Sequence, residues 1–197
     1  SMAEHMEALV TLFHDYRTML GQGIVAQFDE VTYSDAIGFA RIGDGSIGGK
    51  ARGLSFMNRM LTKYHGYYKY ENVRLTIPRS LAISTDYFDR FIEENGLQYV
   101  VAQEVDDDTL LSEFVNSTVP ADLIAKLKVF VSTCSKPLAI RSSSKLEDSH
   151  YQPFAGVYST YMIPRCEDDD QMLRLLLRAI KSVYASVYFA SSRAYIQ

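Results

Sequence analysis

Apolar residues recur three and four positions apart in several stretches of the chain, with charged and polar residues between them. This spacing is typical of helices with one buried face, and it predicts helices over residues 4–20, 51–64, 86–95, 108–115, 120–133 and 168–191. Shorter apolar runs between proline, serine and glycine positions predict strands over 73–78, 81–84, 137–144 and 157–163. The mixture predicts an α+β fold.

The longest predicted helix begins with an acidic run at residues 167–170 and continues with an apolar stripe. Carboxylates stabilise the N-terminal turn of a helix, so we interpret the run as a helix start rather than as a metal site. The stripe lies opposite Arg174, Arg178 and Lys181, which favours packing against a core over lying on a membrane surface. Its residues are Leu173, Leu176, Ile180, Val183 and Val187.

The composition narrows the class of protein. Of the 197 residues, 47% are hydrophobic and 22% are charged, with a formal net charge of −4. No basic cluster is present, so we expect no nucleic-acid partner, and no apolar run approaches the ~20 residues of a membrane-spanning helix. Cys134 and Cys166 are too few for a disulfide framework, and the N-terminal residues lack a signal-peptide pattern. We therefore expect a cytoplasmic protein without a membrane partner.

A glycine-rich segment precedes the predicted helix over 51–64. Residues 41–54 contain five glycines and Lys50. Backbone amides exposed by glycines at a helix start favour an anion, and a lysine in the first turn adds a positive charge. The segment therefore predicts a phosphate site, while a solvated loop without a ligand is the alternative.

Two familiar phosphate-binding patterns do not fit this segment. A Walker A loop requires glycine six positions before the lysine and serine or threonine after it, but Asp44 and Ala51 occupy these positions. The glycine loop of protein kinases requires an apolar residue where Lys50 stands.

A dinucleotide-binding pattern fits only formally. Gly43, Gly45 and Gly48 have its spacing, but no clear buried strand precedes them and no acid stands about 20 residues further on to bind a ribose. A dinucleotide site built on these glycines remains a weaker alternative.

A second segment also predicts phosphate chemistry. Arg141 ends an apolar strand, Ser142 and Ser143 follow it, and a polar loop runs on to Gly156. A guanidinium can bind two phosphate oxygens at once, and hydroxyls and free amides suit the remaining ones. The alternative is that Arg141 pairs with a carboxylate of that loop, at residues 147–148.

Three blocks, taken together, carry a resemblance. Residues 48–54 read GGKARGL, like a G-G-K-x-x-x-L helix start. Residues 77–85 read IPRSLAIST, like V-P-x-G-F-x-[IV]-[ST]-T. Residues 140–156 begin IRSSSKLED and end FAG, with Thr160 beyond, like R-S-S-A-x-x-E-D…F-A-G…T. Over residues 41–195 the chain resembles the N-terminal nucleotide-binding domain of the phosphoenolpyruvate synthase and pyruvate phosphate dikinase family, an ATP-grasp fold.

The resemblance implies roles for particular residues. Lys50 resembles the lysine that touches the phosphates of ATP, and Arg141 resembles the arginine that clamps them during transfer. Ser142, Ser143 and Gly156 belong to a segment that resembles the flap over the triphosphate. The resemblance also implies ATP and Mg²⁺ as cofactors, with the metal ligands in a subdomain that follows this length of chain.

The family passes a phosphoryl group to a histidine on a separate domain and then to pyruvate on a third domain. Those domains of the same full-length chain are therefore the implied partners. The family histidine stands in a Gly-Gly-x-[ST]-x-His context, which none of the four histidines here has. We expect this length of chain to be inactive by itself, as the ATP-binding part of a phosphotransferase. A non-catalytic nucleotide-sensing or interaction module with the same fold is the alternative.

The expected organisation has two parts. Residues 1–40 form an N-terminal helix and linker, with a tag remnant at residues 1–2, and residues 41–197 form the small-subdomain part of an ATP-grasp domain, a mixed sheet flanked by helices. Arg79 and Ser80 depart from the family pattern, which has a small residue and a glycine there. We therefore expect the turn at this position to differ.

Overall fold

A computed structural model describes residues 25–34, 37–64, 72–73, 75–103, 105–143 and 159–194. The helix predicted over 4–20, the four histidines and Gly156 lie outside these residues. The strands are β1 (Ala26–Gln27), β2 (Phe39–Ile42), β3 (Ser80–Ile83), β4 (Leu138–Arg141) and β5 (Thr160–Ile163). The helices are α1 (Gly48–Lys63), α2 (Thr85–Glu94), α3 (Leu97–Val101), α4 (Asp107–Asn116), α5 (Ala121–Ser132), α6 (Asp169–Ser186) and α7 (Ala190–Arg193).

The strands form two small sheets flanked by helices. In the first sheet β2 lies between β1 and β3, and both pairings are parallel. In the second, β4 and β5 are antiparallel, with Arg141 opposite Thr160. The predicted α+β fold is confirmed, with the parallel and antiparallel pairings in separate sheets.

The strand predictions near the glycines were partly wrong. Of the described residues in the strand predicted over 73–78, Val73 makes a strand-like bridge, while residues 75–78 are irregular. The sequence reasoning missed β2, although Phe39 and Ile42 are almost fully buried. A buried strand therefore does precede the glycines, contrary to the expectation that counted against a dinucleotide site. Its four residues are too few to show a period, and Arg41 interrupts the apolar run.

Most of the helix predictions that fall within the described residues are confirmed. Helices α1, α2, α4 and α5 lie where the spacing predicts them, although α1 begins three residues earlier, at Gly48. The helix predicted over 168–191 divides after Ser186, and α7 follows separately. The short helix α3 was not predicted, because five residues do not complete two turns.

The core lies around α6, which contacts α4, α5, β4 and β5. Four residues of the predicted stripe are buried as expected: Leu173, Leu176, Ile180 and Val183. Lys181, on the face opposite the stripe, is half-buried, and its amine donates to the carbonyls of Val115 and Ser117 at the end of α4. No helix among the described residues is long and apolar enough to cross a bilayer.

Arg79, which departs from the family pattern, has a structural role. Its guanidinium carbon lies 5.0 Å from the ring centre of Tyr33 and 5.9 Å from that of Phe130. It donates hydrogen bonds to the carbonyl oxygen (3.2 Å) and the Oγ1 (3.0 Å) of Thr133. The side chain thus ties the segment before β3 to the end of α5, a combination of cation–π and hydrogen-bond contacts that only an arginine provides.

Candidate functional site

The candidate site lies at the carboxyl-terminal edge of the parallel sheet. Residues 43–47, here called the glycine turn, connect β2 to α1, and residues 84–86 follow the neighbouring β3 into α2. Because β2 and β3 run in the same direction, both connections leave the sheet at one edge. This edge of an open sheet is where ligands commonly bind.

The amides of the glycine turn are bound to the start of α2. Asp86 accepts a hydrogen bond from the amide of Asp44 through Oδ2 and one from the amide of Gly45 through Oδ1, both at 3.2 Å. The Ser46 amide donates to Thr85 Oγ1 at 3.1 Å, and the Thr85 amide donates back to the Ser46 carbonyl at 2.9 Å. The anion predicted for this turn is therefore supplied by the chain itself, as the Asp86 carboxylate.

The Asp86 carboxylate is stabilised in its charged form. Partial burial acts to raise its pKa, but the hydrogen bonds from Ser84 and from the amides of Asp44 and Gly45 outweigh this, so the pKa lies below its ordinary value of 3.8. The Ser84 hydroxyl lies 2.5 Å from both Asp86 Oδ1 and the Ile42 carbonyl, so its one proton links the carboxylate to the end of β2. Ser84 stands at the N-cap position of α2, but its hydroxyl makes no capping bond to the helix.

Two glycines permit this close packing. A Cβ on Gly43, whose φ is +89°, would lie 2.1 Å from Ser84 Oγ, and a Cβ on Gly45 would lie 2.8 Å from Thr85 Oγ1. Gly43 and Gly45, which have the spacing of a dinucleotide pattern, thus allow the start of α2 to pack closely against the glycine turn. The place of a pyrophosphate is taken by the carboxylate of Asp86, which argues against the dinucleotide alternative.

The start of α1 is built differently, since Ser143 packs against it. The Ser143 hydroxyl accepts a hydrogen bond from the Ala51 amide at 2.9 Å, between residues 92 positions apart. Gly48 has a φ of +75°, and a Cβ there would lie 1.4 Å from the Ser143 carbonyl oxygen. We call these three residues, Gly48, Ala51 and Ser143, the serine joint. It brings the two segments predicted to bind phosphate into contact.

Both predicted basic residues lie close in the chain to members of the serine joint. Lys50 is half-buried in the first turn of α1, directly before Ala51. Arg141 ends β4 two residues before Ser143, and its side chain is exposed. Ser142, which lies between Arg141 and Ser143 in the chain, is half-buried. The carboxylates at residues 147–148 that could pair with Arg141 lie outside the described residues.

The described residues do not fit a metal ion by themselves, because no three His, Cys, Asp or Glu side chains among them lie close enough together to hold one. The acidic run at residues 167–170 begins α6, as predicted. Asp168 is its N-cap and accepts a hydrogen bond from the Asp170 amide at 2.9 Å, while Asp169 pairs with Arg165 at 2.8 Å.

The sequence reasoning missed Thr85 and Asp86 as partners of the glycine turn. Both stand about 40 positions after it, in a segment that reads as an ordinary helix start. Only a predicted parallel pairing of β2 with β3 could have placed them beside the turn, and β2 itself was not predicted.

Sequence comparison shows which known proteins this chain is similar to. Residues 44–197 match the family described as pyruvate phosphate dikinase, AMP/ATP-binding domain. The chain is also 22% identical over 170 residues to a phosphoenolpyruvate synthase of Aeropyrum pernix, an alignment that covers 76% of this chain and 18% of that protein. The chain therefore spans less than a fifth of the length of this curated relative. No solved structure matches the chain. The resemblance stated from the sequence is confirmed.

Proposed function

This chain belongs to the pyruvate phosphate dikinase AMP/ATP-binding domain family, and we propose that it is the ATP-binding part of a phosphotransferase of the phosphoenolpyruvate synthase or dikinase type. In the full-length protein, ATP would phosphorylate a histidine on a separate domain. Mg²⁺ would be held by residues beyond this chain, and the phosphohistidine and phosphoenolpyruvate/pyruvate domains would be its partners.

The observation that supports this proposal best is the serine joint. The segment with Lys50 and the segment with Arg141 were each predicted to bind phosphate, and each prediction alone had an unremarkable alternative. Ser143 packs against Gly48 and Ala51, so the two basic residues belong to adjoining elements rather than to distant parts of the molecule. Two cations on adjoining elements suit a polyphosphate.

We assign the two basic residues different tasks. Lys50 contributes a compact charge at the positive end of α1, which suits the binding of ATP phosphates before and after transfer. Arg141 contributes a guanidinium that stays charged and can hold two oxygens, which suits the negative charge that develops on the transferred phosphoryl group. Gly156 and the hydroxyls of Ser142 and Ser143 remain proposed phosphate contacts of the flap.

These contacts predict weak binding by this chain alone. A charge-assisted hydrogen bond contributes roughly 1.5–3 kcal/mol, so Lys50 and Arg141 together would contribute about 3–6 kcal/mol. At ~1.4 kcal/mol per tenfold change, this range corresponds to dissociation constants from about 6 mM to about 40 μM. The entropic cost of association weakens the binding further, so the expected value is around millimolar or weaker. We expect measurable ATP binding only at high ligand concentration and no turnover.

Ligand-observed NMR with ATP tests the proposal, because the method detects millimolar binding. We expect saturation transfer to ATP from the unmodified chain and its loss in Arg141→Gln. Arg174→Gln is the matched control, since Arg174 is an exposed arginine of α6 far along the chain from the proposed site. Equal transfer in all three proteins would contradict the proposal, and stronger transfer to NADH than to ATP would favour a dinucleotide site. A micromolar dissociation constant, or AMP release, would instead contradict the weak and inactive behaviour expected of this chain.

The downstream sequence of the full-length protein separates the enzyme from the sensing or interaction module. A phosphotransferase requires acidic Mg²⁺ ligands and a Gly-Gly-x-[ST]-x-His segment after this domain, whereas a sensor does not. Sequencing the gene beyond residue 197 therefore tests the catalytic half of the proposal without any assay of the present chain.

A further inference from the structure

We propose that Ser143 is a positioning residue, which holds the end of β4 against the start of α1 and thereby sets the separation of Arg141 from Lys50. The resemblance to the family instead predicts that Ser143 contacts a phosphate of ATP. The consequence for ATP rests on the proposed function, whereas the positional claim itself concerns the protein without a ligand.

The first support is the bond that Ser143 makes. Helix α1 lacks a side-chain cap from its own N-cap residue, Ile47, and has no acidic residue in its first turn. The Ser143 hydroxyl supplies an acceptor from another part of the chain, with its oxygen 2.9 Å from the Ala51 nitrogen. Ala51 is the fourth residue of the helix, one position beyond the amides that an N-cap side chain accepts, so this bond fastens the first turn of α1 to the end of β4.

The second support is steric. The Ser143 carbonyl oxygen occupies the place where any residue other than glycine would carry its Cβ at position 48. The same residue is therefore held from two sides, by a hydrogen bond at Ala51 and by close backbone packing at Gly48. Two contacts in different directions restrict sliding of the β4 end along α1, which one contact would allow.

The third support is the short distance along the chain to both basic residues. Lys50 lies directly before Ala51, inside the turn that Ser143 contacts. Arg141 is two residues before Ser143, and two residues span at most about 7 Å. A displacement of Ser143 from α1 would therefore change the spacing of the two cations, and binding of a polyphosphate depends on that spacing.

A matched pair of variants separates the hydroxyl from the shape of the side chain. Ser143→Thr keeps the hydroxyl, and Ser143→Val has nearly the same shape as threonine without it. Two properties of the ¹⁵N-labelled chain are measured without nucleotide: hydrogen exchange of the Ala51 amide, and the positions of the Lys50 and Arg141 amide resonances. The dissociation constant for ATP is then measured by NMR.

We expect Ser143→Val to remove the exchange protection of Ala51, to shift both resonances and to weaken ATP binding about fivefold. Ser143→Thr should keep the protection, leave the resonances near their original positions and bind ATP within about twofold of the unmodified chain. Retained Ala51 protection in Ser143→Val would overturn the proposal. Weaker ATP binding with retained protection would mean that Ser143 is a direct phosphate ligand, and lost protection with unchanged ATP binding would show that the contact does not set the cation spacing.

The NMR measurements made without nucleotide test the positional claim independently of the proposed function. If a full-length protein that contains this chain does not bind ATP, the proposed function is wrong. Loss of Ala51 protection and shifted resonances in Ser143→Val, restored in Ser143→Thr, would then still support the positional claim, and their absence would overturn it.

Discussion

The glycine turn and the start of α1 follow each other directly in the chain, yet the fold uses their glycines differently. In the glycine turn the amides of Asp44 and Gly45 are bound to the carboxylate of Asp86. At the start of α1 the Ala51 amide is bound to a neutral hydroxyl, that of Ser143. The first region thus contains a negative charge, and the second combines the positive end of a helix with Lys50.

This difference separates a structural anion site from a candidate ligand site. A phosphate at the glycine turn would have to displace Asp86, which is covalently tethered and therefore present at a high effective concentration. The neutral hydroxyl of Ser143 brings no negative charge to the partially positive N-terminus of α1. A glycine-rich sequence therefore indicates amides that can bind an anion, but the fold decides whether a side chain of the protein already serves as that anion.

The largest expected effect tests the close packing in the serine joint. Gly48→Ala forces an alanine into a positive φ and places its Cβ against the Ser143 backbone, so we expect the free energy of unfolding to fall by about 3 kcal/mol or more. Urea unfolding measures the change. Gly53→Ala is the control in the same helix, because no atom lies within 4 Å of its added Cβ. That variant should be about 0.5–1 kcal/mol more stable than the unmodified chain, and similar losses in both would contradict the packing described here.

The next effect concerns Arg141 in a full-length protein that contains this chain. Arg141→Ala should lower turnover by at least about 100-fold, as for the loss of one donor to a developing negative charge. Because the side chain is exposed, the midpoint of thermal unfolding should stay nearly unchanged. Steady-state kinetics and a melting curve measure the two quantities, and near-normal turnover would remove Arg141 from the mechanism.

Replacing Asp86 tests the glycine turn. Asp86→Ala leaves the amides of Asp44 and Gly45 without their acceptor, so we expect a loss of about 1.5 kcal/mol at neutral pH. Because folding lowers the pKa of Asp86, its contribution is present above the ordinary value of 3.8 and is lost as the pH falls through the lower folded value. The stability gap between the unmodified chain and Asp86→Asn should therefore narrow in acid. Asp89→Ala, an exposed position of α2, should change stability by less than about 0.5 kcal/mol.

The smallest effect concerns the second bond of the glycine turn. Thr85→Val removes the hydroxyl that accepts from the Ser46 amide and keeps the side-chain shape, so we expect a loss of about 0.5–1 kcal/mol. The urea midpoint should fall while the slope of the transition stays the same. The NMR dissociation constant for ATP should not change, and a weaker affinity would place the glycine turn in the ligand site.

Long helices and three of the short strands were predictable from this sequence, and the two strands before the glycine turn, β1 and β2, were not. The stripe of α6 repeats over 18 residues, so its period and its buried face appear in the sequence. Strand β1 has two residues and β2 has four, with Arg41 in the middle, so neither shows a pattern that separates it from a loop. The pairing of β2 with β3, which defines the edge where the candidate site lies, could therefore not be predicted.

The sequence by itself determined the family, the α+β class and the two basic residues that we expect to meet ATP, because spaced motifs and helical periods are local properties. The tertiary structure alone decided which amides are already bound, since their acceptors are Asp86 and Ser143, 41 and 92 positions from the donors Gly45 and Ala51. Such contacts depend on how sheets and helices pack, and no local pattern in the residues between the partners predicts them.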